Sequence, residues 1–214
     1  MSRFIAGSIP APANSEVSMI SDYRGKHRGE SVAILGNGPS LTDHPIDELK
    51  CVTIGLNQSW RVCESHYHVV VEMDQYDRFE KELRLVPKLF SIAPKPFGEL
   101  MQPITAEPHH LRWSWDLEEG VYVKTVGYVA LQLAVYMRFQ RIYLIGFDCG
   151  PRDERDHFHD DSGLLAWPEP AHREVLGFAA GVLSMQAYIA RPEVFLVGRS
   201  ASCAFPHISW EDIR

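Results

Sequence analysis

The chain has 214 residues, of which 45% are hydrophobic and 23% charged. That length and balance suit one domain of ordinary size with a sizeable buried core, and leave little room for a second. The net charge of −7 argues against a generic nucleic-acid binder, which needs a basic face to neutralise phosphates.

Residues 1–29 are rich in Pro, Ser, Ala and charge, and read as a loosely packed N-terminal extension. They hold no signal-peptide apolar region. No run in the chain approaches the ~20 apolar residues of a membrane span, so no integral membrane segment is expected. The four cysteines, Cys51, Cys63, Cys149 and Cys203, are scattered and form no CxxC pair. That spacing fits a reduced intracellular protein without a disulfide framework or a zinc-finger site, and the expected location is the cytoplasm.

A single domain is expected over 30–214. The run SVAIL (31–35), ending at Gly36, reads as a buried strand. Pro39 and Ser40 then suit a helix start, because Pro tolerates the first turn and Ser can cap exposed amides. The segments KCVTIGLN (50–57), YHVVVEMD (67–74) and KLFSIA (88–93) read as further strands. Residues 94–120, with Trp113 and Trp115, read as an irregular connection. VGYVALQLAVYMRF (126–139) is a helix that is apolar on most of its surface, and RIYLIGFD (141–148) is the clearest strand. The polar stretch 149–172 has the length and composition of a lid over an active site. A helix over 174–190, a strand over 193–198 and a short helix in ISWEDIR complete the chain. Short apolar strands alternating with helices imply an α/β fold: a Rossmann-like, mainly parallel sheet with helices on both faces and a polar lid. In such sheets ligands sit beyond the carboxyl ends of the strands.

Four candidate groups fall at those ends. The turn Gly36-Asn37-Gly38-Pro39-Ser40 follows a strand and opens a helix. Its glycines permit close approach of backbone or a positive φ, and free amides at a helix start favour a phosphate or carboxylate. The turn is neither a GxGxxG fingerprint nor a P-loop. Asn57 ends the second strand, where its amide suits reading a base or ribose, or making a local turn bond. Asp74 and Asp148 end two others and suit a metal, a ribose hydroxyl or a helix N-terminus. In the lid, His157 and His159 stand two apart. Histidines there serve as general acid or base, as metal ligands, or simply as part of a solvated loop.

The segments AILGNGPSL, GLNQ, TVGYVALQLAVYMRFQRIYLIGFD and FLVGRSASCAFPHISWEDI occur in that order. Together they resemble the bacterial sialyltransferases of glycosyltransferase family 42. They also resemble a related superfamily that contains the flagellin-modifying Maf proteins and archaeal 6-hydroxymethylpterin diphosphokinases. The resemblance covers about 31–214, and GNGPSL is its most specific piece. It implies a group transferase, namely a glycosyltransferase using a CMP-sialic-acid-like donor. By that resemblance Gly36, Asn37, Gly38, Pro39, Ser40 and Asn57 contact the nucleotide, Thr125 and Gly127 lie near the donor, and Asp148 belongs to the same site. His172 takes the place of the family's catalytic base, which removes the proton from an acceptor hydroxyl. The family's lid tyrosines are absent, since 149–172 contains no Tyr. His157 and His159 stand near their place and can donate to developing phosphate charge.

Such an enzyme requires no cofactor beyond its nucleotide-sugar donor, and its partners are that donor and a small-molecule or glycan acceptor. The diphosphokinase alternative requires Mg²⁺, with Asp74 as a ligand. A third reading is a nucleotide-binding module without catalysis.

Overall fold

The computed structural model describes residues 19–92, 98–101, 103–104, 111–150, 157–159, 169–185 and 191–213. Its centre is an eight-stranded sheet. In chain order the strands are β1 (Ser31–Leu35), β2 (Val52–Leu56), β3 (Tyr67–Val70), β4 (Leu89–Ser91), β5 (Glu99–Leu100), β8 (Arg141–Ile145), β9 (Glu193–Val197) and β10 (His207–Ile208). Across the sheet they run β10-β9-β8-β1-β2-β3-β4-β5, and every pair is parallel. The dipeptides β6 (Pro103–Ile104) and β7 (Val121–Tyr122) pair separately, also in parallel.

The central strands are apolar on both faces because both faces are covered. On one face Val32, Ile34, Ile54, Leu56, Ile142 and Leu144 pack with helices α2 (Val126–Tyr136) and α3 (Glu169–Met185). Every residue of α2 from Gly127 to Tyr136 is buried, as expected of a helix without a polar face. On the other face Ala33, Leu35, Tyr143 and Ile145 meet Leu41, Ile46 and Trp210 from short 3-10 segments. Farther along this face Val70 and Leu89 meet helix α1 (Met73–Leu83). The α/β reading with a mainly parallel, Rossmann-like sheet therefore holds.

Several local expectations do not. The strand foreseen over 67–74 stops at Val70, and the chain is helical from Met73. Tyr76, Phe79 and Leu83 recur at helical spacing and bury together against Val70 and Leu89, which outweighs the β-branched run before them. Asp74 is therefore an exposed residue in the first turn of α1, not the end of a strand. The helix foreseen at Pro39 is a five-residue 3-10 segment, Pro39–Asp43. The loose packing expected of residues 1–29 fails for 19–29: Tyr23 is buried in the main core, and the amides of Gly25 and His27 bond the carbonyls of Tyr136 and Met137. Most of the lid, together with residues 1–18, lies outside the described residues. Among the described residues no helix is long and apolar enough to cross a membrane.

Candidate functional site

The strand order places the switch point. From β1 the chain moves outward to β5, then returns to lay β8 on the opposite side of β1. Ligand crevices in open α/β sheets form at such a reversal, outside the carboxyl ends of the strands. The turn Gly36–Ser40 leaves β1 there, and Gly146-Phe147-Asp148 leaves β8 beside it, since Leu35 is registered with Ile145.

These two loops are fused rather than apart. The amide of Gly36 donates to the Ile145 carbonyl at 2.8 Å, and that of Gly38 to the Gly146 carbonyl at 2.9 Å. Asp148 is 7% exposed; its Oδ2 accepts from the Ser40 amide at 3.2 Å and from the Ser40 hydroxyl at 2.8 Å. The Leu41 amide bonds the Gly38 carbonyl, and Pro39 has no amide. The anion held at this 3-10 start is thus the protein's own Asp148 carboxylate. The glycines serve the loop-loop contact: Gly38 has an ordinary φ of −66°. A Cβ on it would stand 2.6 Å from the Gly146 carbonyl oxygen and closer still to Asp148 Oδ2.

What the turn retains for a ligand is Asn37. Its side-chain Oδ1 is buried and has no hydrogen-bond partner among the described residues. Its carbonyl accepts from the Phe158 amide at 3.0 Å, which ties the lid segment 157–159 to the turn. There the rings of His157 and His159 lie 5.1 Å apart. His172 sits in the first turn of α3 rather than ahead of the helix. Burial, and secondarily the charge of nearby His157, lower its pKa. All three histidines singled out by sequence therefore belong to one neighbourhood, although the rest of the lid is not described. Gly127 and Thr125 come in from the start of α2. Thr125 caps the helix by accepting from the Tyr128 amide at 3.2 Å, and a Cβ on Gly127 would lie 2.7 Å from the Phe147 ring.

Asn57 follows β2, whose Gly55 is registered with Leu35 of β1, so it leaves the sheet at the same end as Asn37. Its φ of 43° is left-handed, a conformation Asn adopts more readily than most residues. A buried chain holds it there. The His68 Nε2 donates to the Asn57 carbonyl at 2.7 Å, and the Ser65 hydroxyl donates to His68 Nδ1 at 3.3 Å. Burial pulls the His68 pKa down to about 4, so its ring is neutral near pH 7, as this arrangement needs. The Asn57 side chain also bonds Glu72, whose carboxyl is pushed up by burial.

Glu72 and His68 were not legible as site residues. Glu72 was hidden because 67–74 read as one strand, although Tyr76, Phe79 and Leu83 already signalled a helix starting just after it. His68 lies on β3 with no local pattern to mark it. Asp74, by contrast, is exposed on α1, and no described contact ties it to Asp148. Among the described residues no three His, Cys, Asp or Glu side chains assemble as a metal-binding group. The chain matches no protein-family model, no curated protein and no solved structure.

Proposed function

We propose that the chain is a group transferase that binds a nucleotide-activated sugar at the β1/β8 switch point and transfers the sugar to an acceptor hydroxyl. The observation that carries this reading is the pair of buried, unpartnered side-chain oxygens of Asn37 and Asn57 at the ends of adjacent strands. Buried polar atoms are nearly always satisfied, and these two ask for N–H or O–H donors of the kind a ribose or a base presents. The ordered resemblance to family 42 supports the same reading.

In this reading the acceptor oxygen attacks the anomeric carbon of the sugar, and the bond from that carbon to the phosphate oxygen breaks. His172, kept unprotonated by its depressed pKa, takes the acceptor proton. His157 and His159 donate to the departing phosphate, whose negative charge grows as the bond breaks. With the amides of Gly38 and Ser40 already bonded, the phosphate is stabilised from the lid side and not by the turn.

Calorimetric titration with CMP, CDP, UDP, GDP and ATP, each with and without Mg²⁺, tests the proposal. Binding of at least one nucleotide without Mg²⁺ supports it. Binding only with Mg²⁺ transfers support to pyrophosphoryl transfer, with Asp74 and Asp148 as metal ligands. The geometry gives that alternative less support, because Asp148 Oδ2 is committed to Ser40 and Asp74 is exposed. If none of the five binds under either condition, the nucleotide reading is wrong.

A further inference from the structure

The loop that leaves β9 stands beside the switch point. β8 and β9 are parallel and in register from Arg141 with Glu193 to Leu144 with Leu196. Gly198-Arg199-Ser200 therefore emerges at the carboxyl end, next to Phe147 and Asp148. Two bonds dock it there: the Ser200 hydroxyl donates to the Phe147 carbonyl at 2.6 Å, and the Ala201 amide donates to the Asp148 carbonyl at 2.7 Å.

The loop is also braced from within. Gly198 takes a left-handed φ of 76°. The Ser202 amide donates to the Ser200 hydroxyl at 3.1 Å, and the Ala204 amide to the Ser202 hydroxyl at 3.2 Å. The ring nitrogens of His207, on β10, lie 3.3 and 2.9 Å from the carbonyl oxygens of Gly198 and Ser202. Both serine side chains are thus committed to the loop itself. Arg199 is not: it is exposed and has no hydrogen bond or ion pair among the described residues. Loops fixed on a rigid scaffold are where binding side chains are carried.

The charge of Arg199 stands out against its surroundings. Asp148 is buried at the centre of the switch point, and Glu72 and Asp74 follow β3. Among the described residues that follow these strands, in 36–44, 57–61, 71–74, 146–150 and 198–206, the only Lys or Arg besides Arg199 is Arg61. The Arg61 guanidinium lies over the rings of Trp60 and Phe79, 5.2 Å from each centroid. The amides of Gly36, Gly38 and Ser40 are already bonded. A phosphate placed here meets the Asp148 carboxylate, and Arg199 is the cation on these loops that can offset it. A guanidinium offers paired N–H donors that match phosphate oxygens, and it stays charged at any working pH.

We propose that Arg199 holds the phosphate of the bound nucleotide, its guanidinium N–H groups donating to the phosphate oxygens. The proposal rests on the nucleotide reading above and deepens it: the loop after β9, not the turn after β1, supplies the fixed positive charge of the site.

The test is calorimetric titration of the full chain with nucleotides and their own nucleosides: CMP against cytidine, UMP against uridine, GMP against guanosine and AMP against adenosine. In the pair whose nucleotide binds tightest, the phosphate should add at least about tenfold in affinity, as a charge-assisted hydrogen bond does. Arg199→Gln should cut that ratio to below about threefold while nucleoside affinity stays within about twofold. Where the nucleoside binds too weakly to measure, the affinity of the nucleotide itself should fall at least about tenfold in Arg199→Gln. Added NaCl should weaken nucleotide binding more steeply in the parent than in Arg199→Gln. Arg141→Gln is the control, because it removes the same charge at the amino end of β8, where Arg141 pairs with Glu193 at 3.1 Å; it should leave the ratio unchanged. A parent ratio below about threefold, an undiminished ratio in Arg199→Gln, or an equal fall in Arg141→Gln overturns the proposal while leaving the nucleotide reading intact. If no nucleotide binds at all, both readings fall together.

Discussion

Gly38→Ala isolates the contact on which the switch point is built. The φ of −66° at Gly38 suits any residue, so alanine brings no backbone strain and acts through its Cβ alone. That carbon would sit 2.6 Å from the Gly146 carbonyl oxygen and 2.9 Å from Asp148 Cγ. Neither neighbour can yield freely: one is backbone, and the other is a buried carboxylate held by two bonds from Ser40. Moving Asp148 aside breaks a charge-assisted hydrogen bond, worth ~1.5–3 kcal/mol, and leaves part of a buried carboxylate unsatisfied. A net loss of about 3 kcal/mol follows, and for a chain of this size that lowers the melting temperature by ~6–12 °C. Thermal melts followed by circular dichroism, with urea titration for the free energy, read it directly. Gly177→Ala in α3 is the control: nothing lies within 4 Å of its Cβ, so it should stabilise by roughly 0.5–1 kcal/mol. Asp148→Ala removes one of the two obstacles, so the cost of Gly38→Ala should shrink in that background. A Gly38→Ala protein melting within about 2 °C of the parent would refute the claim that the two loops are locked together.

Three further outcomes are expected. Burial holds the pKa of His68 at about 4, below its ordinary 6.5, so the folded state binds fewer protons than the unfolded one. The stability this confers is complete above pH 6.5 and falls as pH drops toward 4, by roughly 3 kcal/mol in all. Urea titrations across that window should show a shallower slope in His68→Gln. His172, depressed in the same direction, is common to both proteins, so an unchanged slope would mean His68 is not the group responsible. His172→Ala should lower transfer by ~10²–10⁴-fold with nucleotide affinity within about twofold, as measured by turnover and calorimetry; unchanged turnover would remove His172 as the base. Thr125→Ala deletes the cap of α2 and should cost ~1 kcal/mol, or ~2–4 °C in the melt.

The architecture was readable because it depends on periodicity. Strands such as SVAIL and RIYLI are apolar on successive residues, which announces burial on both faces, and α2 is apolar all round because it lies between the sheet and α3. The places of Gly36–Ser40, Asn57 and Asp148 at carboxyl ends followed from the same pattern. Local composition misled where two signals overlapped. VVVEMD reads as β by propensity, yet the Tyr76, Phe79 and Leu83 stripe makes the chain turn helical at Met73, and that displaced Asp74 and concealed Glu72.

The amino-acid sequence alone determined the fold class, the turn after β1 and the concentration of histidines near the lid, since each depends on neighbours along the chain. Only the tertiary structure decided what those groups do to one another. The meeting of β1 with β8 joins residues more than a hundred positions apart, and gives the Ser40 amide to Asp148 and those of Gly36 and Gly38 to the carbonyls of Ile145 and Gly146. The tertiary structure also leaves side-chain oxygens of Asn37, Asn57, Gln58, Glu72 and Gln75 buried without a hydrogen-bond partner among the described residues. Satisfaction of a polar atom is a property of its three-dimensional surroundings, and no spacing in the sequence encodes it.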